Sequence, residues 1–271
     1  MKVQNKVIVV TGGGNGMGRE LVLNLLAKGA CVAAVDINEA TLRETAELAK
    51  EYKENVATFV LNVTDKAAVE ALPAKVIAKF GKVDGIINNA GIIQPFVRLI
   101  DLDYSAIQRV LDVNLYGTIY MVKAFLPYLK ERPEAHIANV SSMGGFLPVP
   151  GQTVYGASKA AVKLLTEGLY AELLNTNVKV TLVYPGAIGT NIAANSGIAI
   201  PNMPEANSKE ASSIKQLPAD KAAEIIVDAI ERDRYSVHVG SDSKFMDFIY
   251  RLNPKGAAGF IYNQMKSLLP S

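Results

Sequence analysis

Short, uninterrupted apolar runs recur along the 271-residue chain, each followed by a stretch in which apolar residues return at helical spacing. The runs lie at 6–11 (KVIVVT), 31–36 (CVAAVD), 56–63, 83–88, 136–141 and 178–184, with a weaker one at 235–239. Runs without strict alternation suit strands covered on both faces, as in a parallel sheet. The stretches between them predict helices near 17–28, 38–53, 66–80, 103–130, 153–174 and 218–234. Each connection is long enough for a crossover, so the pattern is one of repeated βα units. Local signals agree. Gly29 and Gly81 are placed to end the first and third helices, Asp36 and Asn38 bracket the start of the second, and Asp65 can cap the third. Pro127 is expected to kink the long fourth helix or end it early. Seven strands and six helices consume nearly the whole chain. The expectation is one doubly wound α/β domain, with helices on both faces of a mostly parallel seven-stranded sheet.

Composition removes several alternatives. Apolar residues make up 49% of the chain and charged residues 20%, which supports a sizeable core and argues against disorder. The formal charge is only +2 and no basic stripe stands out, so a nucleic-acid partner has no electrostatic support. Cys31 is the lone cysteine, which excludes an intrachain disulfide and a cysteine-cluster metal site. Two histidines, His136 and His238, are too few for a zinc centre of the usual kind, and no metal is expected. The apolar run after Lys2 and Lys6 is too short for a signal-peptide core. The uncharged stretch 180–204 is interrupted by Pro185, Gly186, Asn191, Asn195 and Pro201, and reads as a strand plus a loop, not a membrane span. A cytoplasmic globular protein is expected.

The first strand runs directly into Thr11-Gly12-Gly13-Gly14-Asn15-Gly16-Met17-Gly18 and then a helix. Glycines there permit a sharp turn and close backbone approach to a pyrophosphate, whose charge is met by the helix N-terminus. Asp36 ends the second strand, where a carboxylate can accept hydrogen bonds from an adenosine ribose diol and repels a 2′-phosphate. Ile37 adds no positive charge beside it, so NAD is favoured over NADP. Asn88-Asn89-Ala90-Gly91 closes the fourth strand with small residues suited to a cofactor crevice, although the tetrapeptide alone equally suits an ordinary turn. Tyr155 and Lys159 are four apart in a predicted helix and share a face. That spacing alone usually means a surface pair; its place after Ser141 and Ser142, at a strand's end, singles it out.

Taken together, the set resembles the classical short-chain dehydrogenase/reductase family. The matching features are TGGGNGMG at 11–18, NNAG at 88–91, Asn114, Ser142, YGASK at 155–159 and PGAIGT at 185–190, in family order and over residues 1 to about 240. The resemblance implies a Rossmann-type NAD-binding catalytic domain over 1–240, which leaves 241–271 as a C-terminal helical extension packed on the domain or a neighbouring subunit. It implies Ser142, Tyr155, Lys159 and Asn114 as the catalytic group. Tyr155 would be the acid/base, and its ionisation would be favoured by the Lys159 charge together with the nearby nicotinamide cation. Ser142 would hydrogen-bond the substrate oxygen. Lys159 would also bind the nicotinamide ribose, and Asn114 would hold a relay water; the residues by themselves place Asn114 only in a helix. The cofactor would further touch Gly12, Asn15, Gly16, Met17, Gly18, Asp36, Ile37, Asn62, Val63, Asn89, Ala90 and Gly91. At the nicotinamide it would meet Pro185, Gly186, Ile188 and Thr190. Asn62 departs from the family's usual aspartate beside adenine. A homodimer or homotetramer is implied as well.

Substrate selectivity is expected from residues 93–97, 144–154 and a lid at about 191–217. These offer Phe96, Phe146, Leu147, Val149, Ile192, Ile198, Ile200 and Met203, which favours an apolar secondary alcohol or ketone over a sugar phosphate. In the tail, Phe245, Phe248, Ile249 and Leu252 share one helical face, and Phe260, Ile261, Gln264, Met265 and Leu268 follow. These pieces are expected to cover the sheet edge or reach a neighbouring subunit. Walling of the pocket is a further role, and a membrane surface is disfavoured because basic residues are sparse. Two rival functions are an NADPH-preferring carbonyl reductase, which Asp36 opposes, and a non-catalytic dinucleotide-binding protein, which Tyr155 with Lys159 opposes.

Overall fold

The computed structural model describes residues 1–198 and 216–269. Seven strands, β1 (Val7–Thr11), β2 (Cys31–Asp36), β3 (Val56–Val60), β4 (Gly85–Asn88), β5 (Ala135–Val140), β6 (Val178–Pro185) and β7 (Ser236–Val239), form one sheet in the order β3-β2-β1-β4-β5-β6-β7. Every pairing is parallel. Strand β1 has every residue buried because the period-two pleat sends its side chains to two cores. Ile8 and Val10 join Val32 and Ala34 against α1 (Gly16–Ala27) and α8 (Ala219–Glu231). Val7 and Val9 join Ala33 and Val35 against α3 (Lys66–Phe80), α5 (Gly117–Lys130) and the end of α6 (Thr153–Leu173). This is why the strands carry continuous apolar runs. Strand order reverses beside β1, between β2 and β4, which opens a crevice at the carboxyl ends of the strands.

Several boundaries differ from expectation. The second helix, α2 (Glu39–Leu48), stops short of 53 and gives way to a 3₁₀ segment, Lys50–Asn55. Strand β3 ends at Val60, because Asn62 Oδ1 accepts the Thr64 N–H and turns the chain away. The predicted helix over 103–130 is α4 (Tyr104–Leu111), a π-helical turn at Asp112–Tyr116, and α5. Pro127 lies inside α5 without ending it, as Pro73 does in α3. Gly29, with φ +80°, follows the Lys28 cap of α1, and Gly81 caps α3 at φ +79°.

Beyond β7 the chain forms α9 (Ser241–Leu252) and α10 (Pro254–Met265). Together they bury Met246, Ala257 and Ile261 on Leu147, with Met143, Phe146, Ile249, Tyr250 and Met265 around them. The apolar face of α9 is largely turned outward: Phe245, Phe248 and Leu252 are each about 60–70% exposed. The reason is local. Buried Ser243 donates to the Tyr184 carbonyl (2.9 Å) and lies 3.1 Å from His238 Nδ1, which rotates α9 so that 243, 246 and 250 face inward. Among the described residues no helix is long and apolar enough to cross a membrane, and no three metal-binding side chains cluster. Ile200, Met203 and most of the expected lid lie outside the described residues.

Candidate active site

The glycine-rich loop is shaped by close approach. Gly12 (φ +68°) and Gly16 (φ +50°) occupy left-handed backbone, where a side chain is strained. A methyl on Gly18 would stand 1.8 Å from the Gly12 carbonyl oxygen, so only glycine lets α1 begin this close to β1. Asn15 caps α1 by accepting the Gly16 N–H, and half-buried Met17 packs on the core below. Thr11 Oγ1 accepts the N–H groups of Asn89 and Ala90, both at 3.0 Å, and Asn89 Nδ2 donates to the Thr11 carbonyl. The loop after β1 is thus tied to the loop after β4. Asp36 faces the same loop: its Oδ2 accepts the Gly14 N–H at 3.0 Å and its Oδ1 the Asn38 N–H at 3.1 Å. Ile37 beside it is 67% exposed. Asn62 is exposed, whereas Val63 is buried and close to Gly117. The far wall is the turn after β6, where a methyl on Gly16 would meet Thr190 Cβ at 3.3 Å, and the short helix α7 (Ile192–Asn195), where Asn15 Nδ2 donates to Asn195 Oδ1.

Four side chains gather next to this crevice. Ser142, at the end of β5, accepts the Gly144 N–H at 3.0 Å. A methyl on Gly144 would stand 3.4 Å from the Tyr155 ring and 3.5 Å from Ser142 Oγ, so those two groups flank one short segment. Lys159 is buried at 4% exposure, and its Nζ donates to the Val140 carbonyl at 3.0 Å. Asn114 is fully buried: Oδ1 accepts the Ile92 N–H at 2.9 Å, and Nδ2 donates to the Ile92 carbonyl and to Ser158 Oγ. The π-helical turn aims it inward, as such turns often do at functional sites. A methyl on Gly91 would be 3.0 Å from Lys159 Nζ and 3.3 Å from Asn114 Oδ1, so all three converge.

Burial raises the Tyr155 phenol above its ordinary pKa, and the hydrogen bond with Ser142 pulls it back only in part. Burial also lowers Lys159 to about 8, and its ammonium is held by the Val140 carbonyl. Two of the apolar residues assigned to the pocket also serve elsewhere. Leu147 is fully buried under the tail. Phe146 packs edge-on against Tyr184 at 5.6 Å and His238 at 6.0 Å.

One residue that sequence reasoning missed is Asp242, in the first turn of α9. Its Oδ2 accepts the Ala187 N–H at 2.7 Å. Its carboxylate fills the space where methyls on Gly186 and Gly240 would sit, 2.2 and 2.3 Å from its oxygens. On the other side, Leu217 N–H donates to the Ala187 carbonyl at 2.8 Å, and Gly189 N–H to the Leu217 carbonyl at 2.9 Å. The turn from Pro185 through Ile188 is therefore clamped from the tail and from Leu217. No local motif marks Asp242, because its partners are over fifty positions away. Asp242→Ala is expected to lower unfolding free energy by about 1–2 kcal/mol, and Asp242→Asn, which keeps an acceptor, by less than half of that. Thermal or urea denaturation of the two variants checks this; equal losses would show that charge, not acceptance, matters.

Comparison with known proteins identifies the family. The family described as short chain dehydrogenase matches residues 6–199. A Mycobacterium tuberculosis protein named as oxidoreductase SadH is 36% identical over 253 residues, covering 92% of this chain and 91% of that protein. Among solved structures, a Burkholderia phymatum short chain dehydrogenase/reductase in complex with NAD superposes with a TM-score of 0.81 at 27% identity, covering 93% of this chain and 96% of that one. A Burkholderia cenocepacia short chain dehydrogenase in complex with NADP gives 0.79 at 25% identity, covering 96% and 99%.

Proposed function

Since the chain belongs to the short-chain dehydrogenase family, whose members are dinucleotide-dependent oxidoreductases, we propose that it is an NAD-dependent enzyme interconverting an apolar secondary alcohol and its ketone. The observation that carries this reading is convergence. The glycine loop, the Asp36 carboxylate and the group Ser142, Tyr155, Lys159 and Asn114 all lie at the carboxyl ends of β1, β2, β4 and β5. The strained, side-chain-free loop leaves backbone and the α1 N-terminus to face a pyrophosphate, so these residues fit a dinucleotide. A nicotinamide held there would supply the hydride transfer that interconverts alcohol and ketone.

The chain's own groups handle the proton and the charge. Ser142 Oγ donates a hydrogen bond to the substrate oxygen and stabilises the charge that builds on it. Tyr155 Oη takes the alcohol proton in oxidation and gives it back in reduction. With its pKa raised by burial, the phenol is protonated at neutral pH, which suits the donor role. Lys159, poised near pH 8, supplies or withholds positive charge at the ribose hydroxyls and the phenol. Asn114, buried against Ile92 and Ser158, positions the relay water beside Lys159. Ile188, Thr190 and the turn at Pro185-Gly186 would hold the carboxamide end, and Ile37, Asn62 and Val63 would meet the adenine end. Assembly into a homodimer or homotetramer is part of the same proposal.

Nicotinamide absorbance, followed with NAD and NADP against apolar alcohols, steroids, acyl ketones and sugars, tests the reading. Turnover is expected with NAD and an apolar alcohol or ketone; sugars turned over faster would overturn the substrate class. Asp36 makes the cofactor choice sharper. Its carboxylate is held in place by Gly14 and Asn38, ready to accept from a ribose diol. Removing a charged hydrogen-bond acceptor costs about 1.5–3 kcal/mol. Asp36→Ala is thus expected to cut kcat/KM with NAD about ten- to a hundredfold and to raise it with NADP. Equal efficiency of the wild type with both cofactors refutes the assignment.

A further inference from the structure

The helix carrying Tyr155 and Lys159 begins without a cap of its own. Gln152, at the N-cap position, makes no side-chain hydrogen bond to the first turn; its Nε2 donates instead to the Gln94 carbonyl at 2.7 Å. The first N–H groups of a helix have no partner within it and need an outside acceptor. For α6 that acceptor comes from far along the chain. Gln94 Oε1 accepts the N–H groups of Val154 at 2.7 Å and Tyr155 at 3.0 Å, while Nε2 donates to the Gly151 carbonyl at 2.9 Å. Gln94 is fully buried. A glutamine fits because one planar amide must accept at one end and donate at the other.

The residues before it are held as firmly. Ile92 is bound through both its N–H and its carbonyl by Asn114, and the Ile93 N–H donates to buried Ser196 at 3.0 Å. Ser196 in turn accepts at its carbonyl from Arg109 at 2.7 Å. Three consecutive residues after β4 therefore link Asn114, the segment following β6, and the backbone nitrogen of Tyr155. Backbone position at Tyr155 sets where the phenol stands relative to Ser142.

We propose that Gln94 is a positioning residue for Tyr155, capping α6 from the loop after β4; this rests on the acid/base role assigned to Tyr155 above. Gln94 touches neither substrate nor cofactor in this role. It acts through the helix start, and it links the approach to the substrate pocket with the proton-transfer group.

The test uses the full chain with Gln94→Met, similar in volume but without the amide, and Gln94→Glu, which keeps an oxygen for both N–H groups. Three readouts are needed: amide hydrogen exchange over 153–156, the dissociation constant of NADH by nicotinamide fluorescence, and kcat with NAD and 1-phenylethanol. In Gln94→Met, exchange at Val154 and Tyr155 is expected to rise at least about tenfold and kcat to fall about ten- to a hundredfold, with NADH affinity within about twofold. Gln94→Glu is expected to restore protection at Val154 and Tyr155 and part of kcat, since a carboxylate is favourable at a helix N-terminus but no longer donates to the Gly151 carbonyl. Unchanged exchange in Gln94→Met overturns the cap. Wild-type kcat despite faster exchange, or loss of kcat in step with NADH binding and without rescue by Gln94→Glu, overturns the positioning role. Tyr155→Phe separates the two readings: if it is inactive while Gln94→Met is fully active, the Tyr155 assignment stands and the Gln94 proposal fails. If Tyr155→Phe retains turnover, the Tyr155 assignment fails, and amide exchange alone judges the cap.

Discussion

Tyr155→Phe is expected to lower kcat by about a thousandfold while leaving NADH affinity nearly unchanged. General acid–base catalysis is worth about 10²–10⁴ in rate, and the variant deletes one oxygen without changing the ring that lies beside Gly144. Ser142 still accepts the Gly144 N–H, so the site keeps its shape. The wild type should also depend on direction and pH. Because burial raises the phenol's pKa, ketone reduction is favoured at neutral pH, and alcohol oxidation speeds up as pH rises and the phenol loses its proton. Steady-state rates in both directions across pH check both points. Turnover that survives in Tyr155→Phe removes the proton-transfer role from this residue.

Lys159→Met is expected to be slower by a factor of about 10²–10³ yet more stable in the cofactor-free form. Unfolded, the ammonium keeps its proton up to its ordinary pKa of 10.5; folded, burial lets it go at about 8. The folded protein thus binds fewer protons between those values, and stability rises with pH across that window. Below about pH 8 the full penalty of the buried charge is present, and by about 10.5 it has gone. Methionine fills similar space without the charge. The Val140 carbonyl loses a donor in the exchange, leaving a net gain of about 2 kcal/mol at pH 7 that disappears toward pH 10.5. Denaturation curves at pH 7 and pH 10 decide it. A Lys159→Met protein less stable than wild type at pH 7 would show that the ammonium is well compensated where it lies. Such a trade of stability for activity is common at active sites.

Much of the fold was legible because its signals are local. KVIVVT at 6–11 carries no polar alternation, so a strand buried on both faces follows from the residues alone. The glycine loop was legible for the same reason: Gly12 and Gly16 take backbone conformations that few other residues tolerate. The end of β3 was missed because the Asn62 turn competes with a run that still looks apolar through Val63. Pro127 does not end α5, because a proline interrupts one hydrogen bond while the packing of Phe125 and Leu129 holds the turn around it. In the tail, the apolar residues of α9 predict one shared face of Phe245, Phe248 and Leu252 but not the direction in which it turns. Ser243 sets that rotation by bonding to Tyr184.

The sequence by itself determined the βα alternation, the parallel sheet, and the residue types at the crevice, because periodicity, glycine conformation and the order of short motifs are properties of neighbouring residues. Tertiary structure alone decided which polar groups share a partner. It buried Asn114 on Ile92, sent Lys159 to the Val140 carbonyl, locked Asp242 against Gly186, and placed Gln94 under the first turn of α6. Each of these contacts spans 19 to 61 positions along the chain, and a buried donor or acceptor takes whichever partner the packing brings within reach.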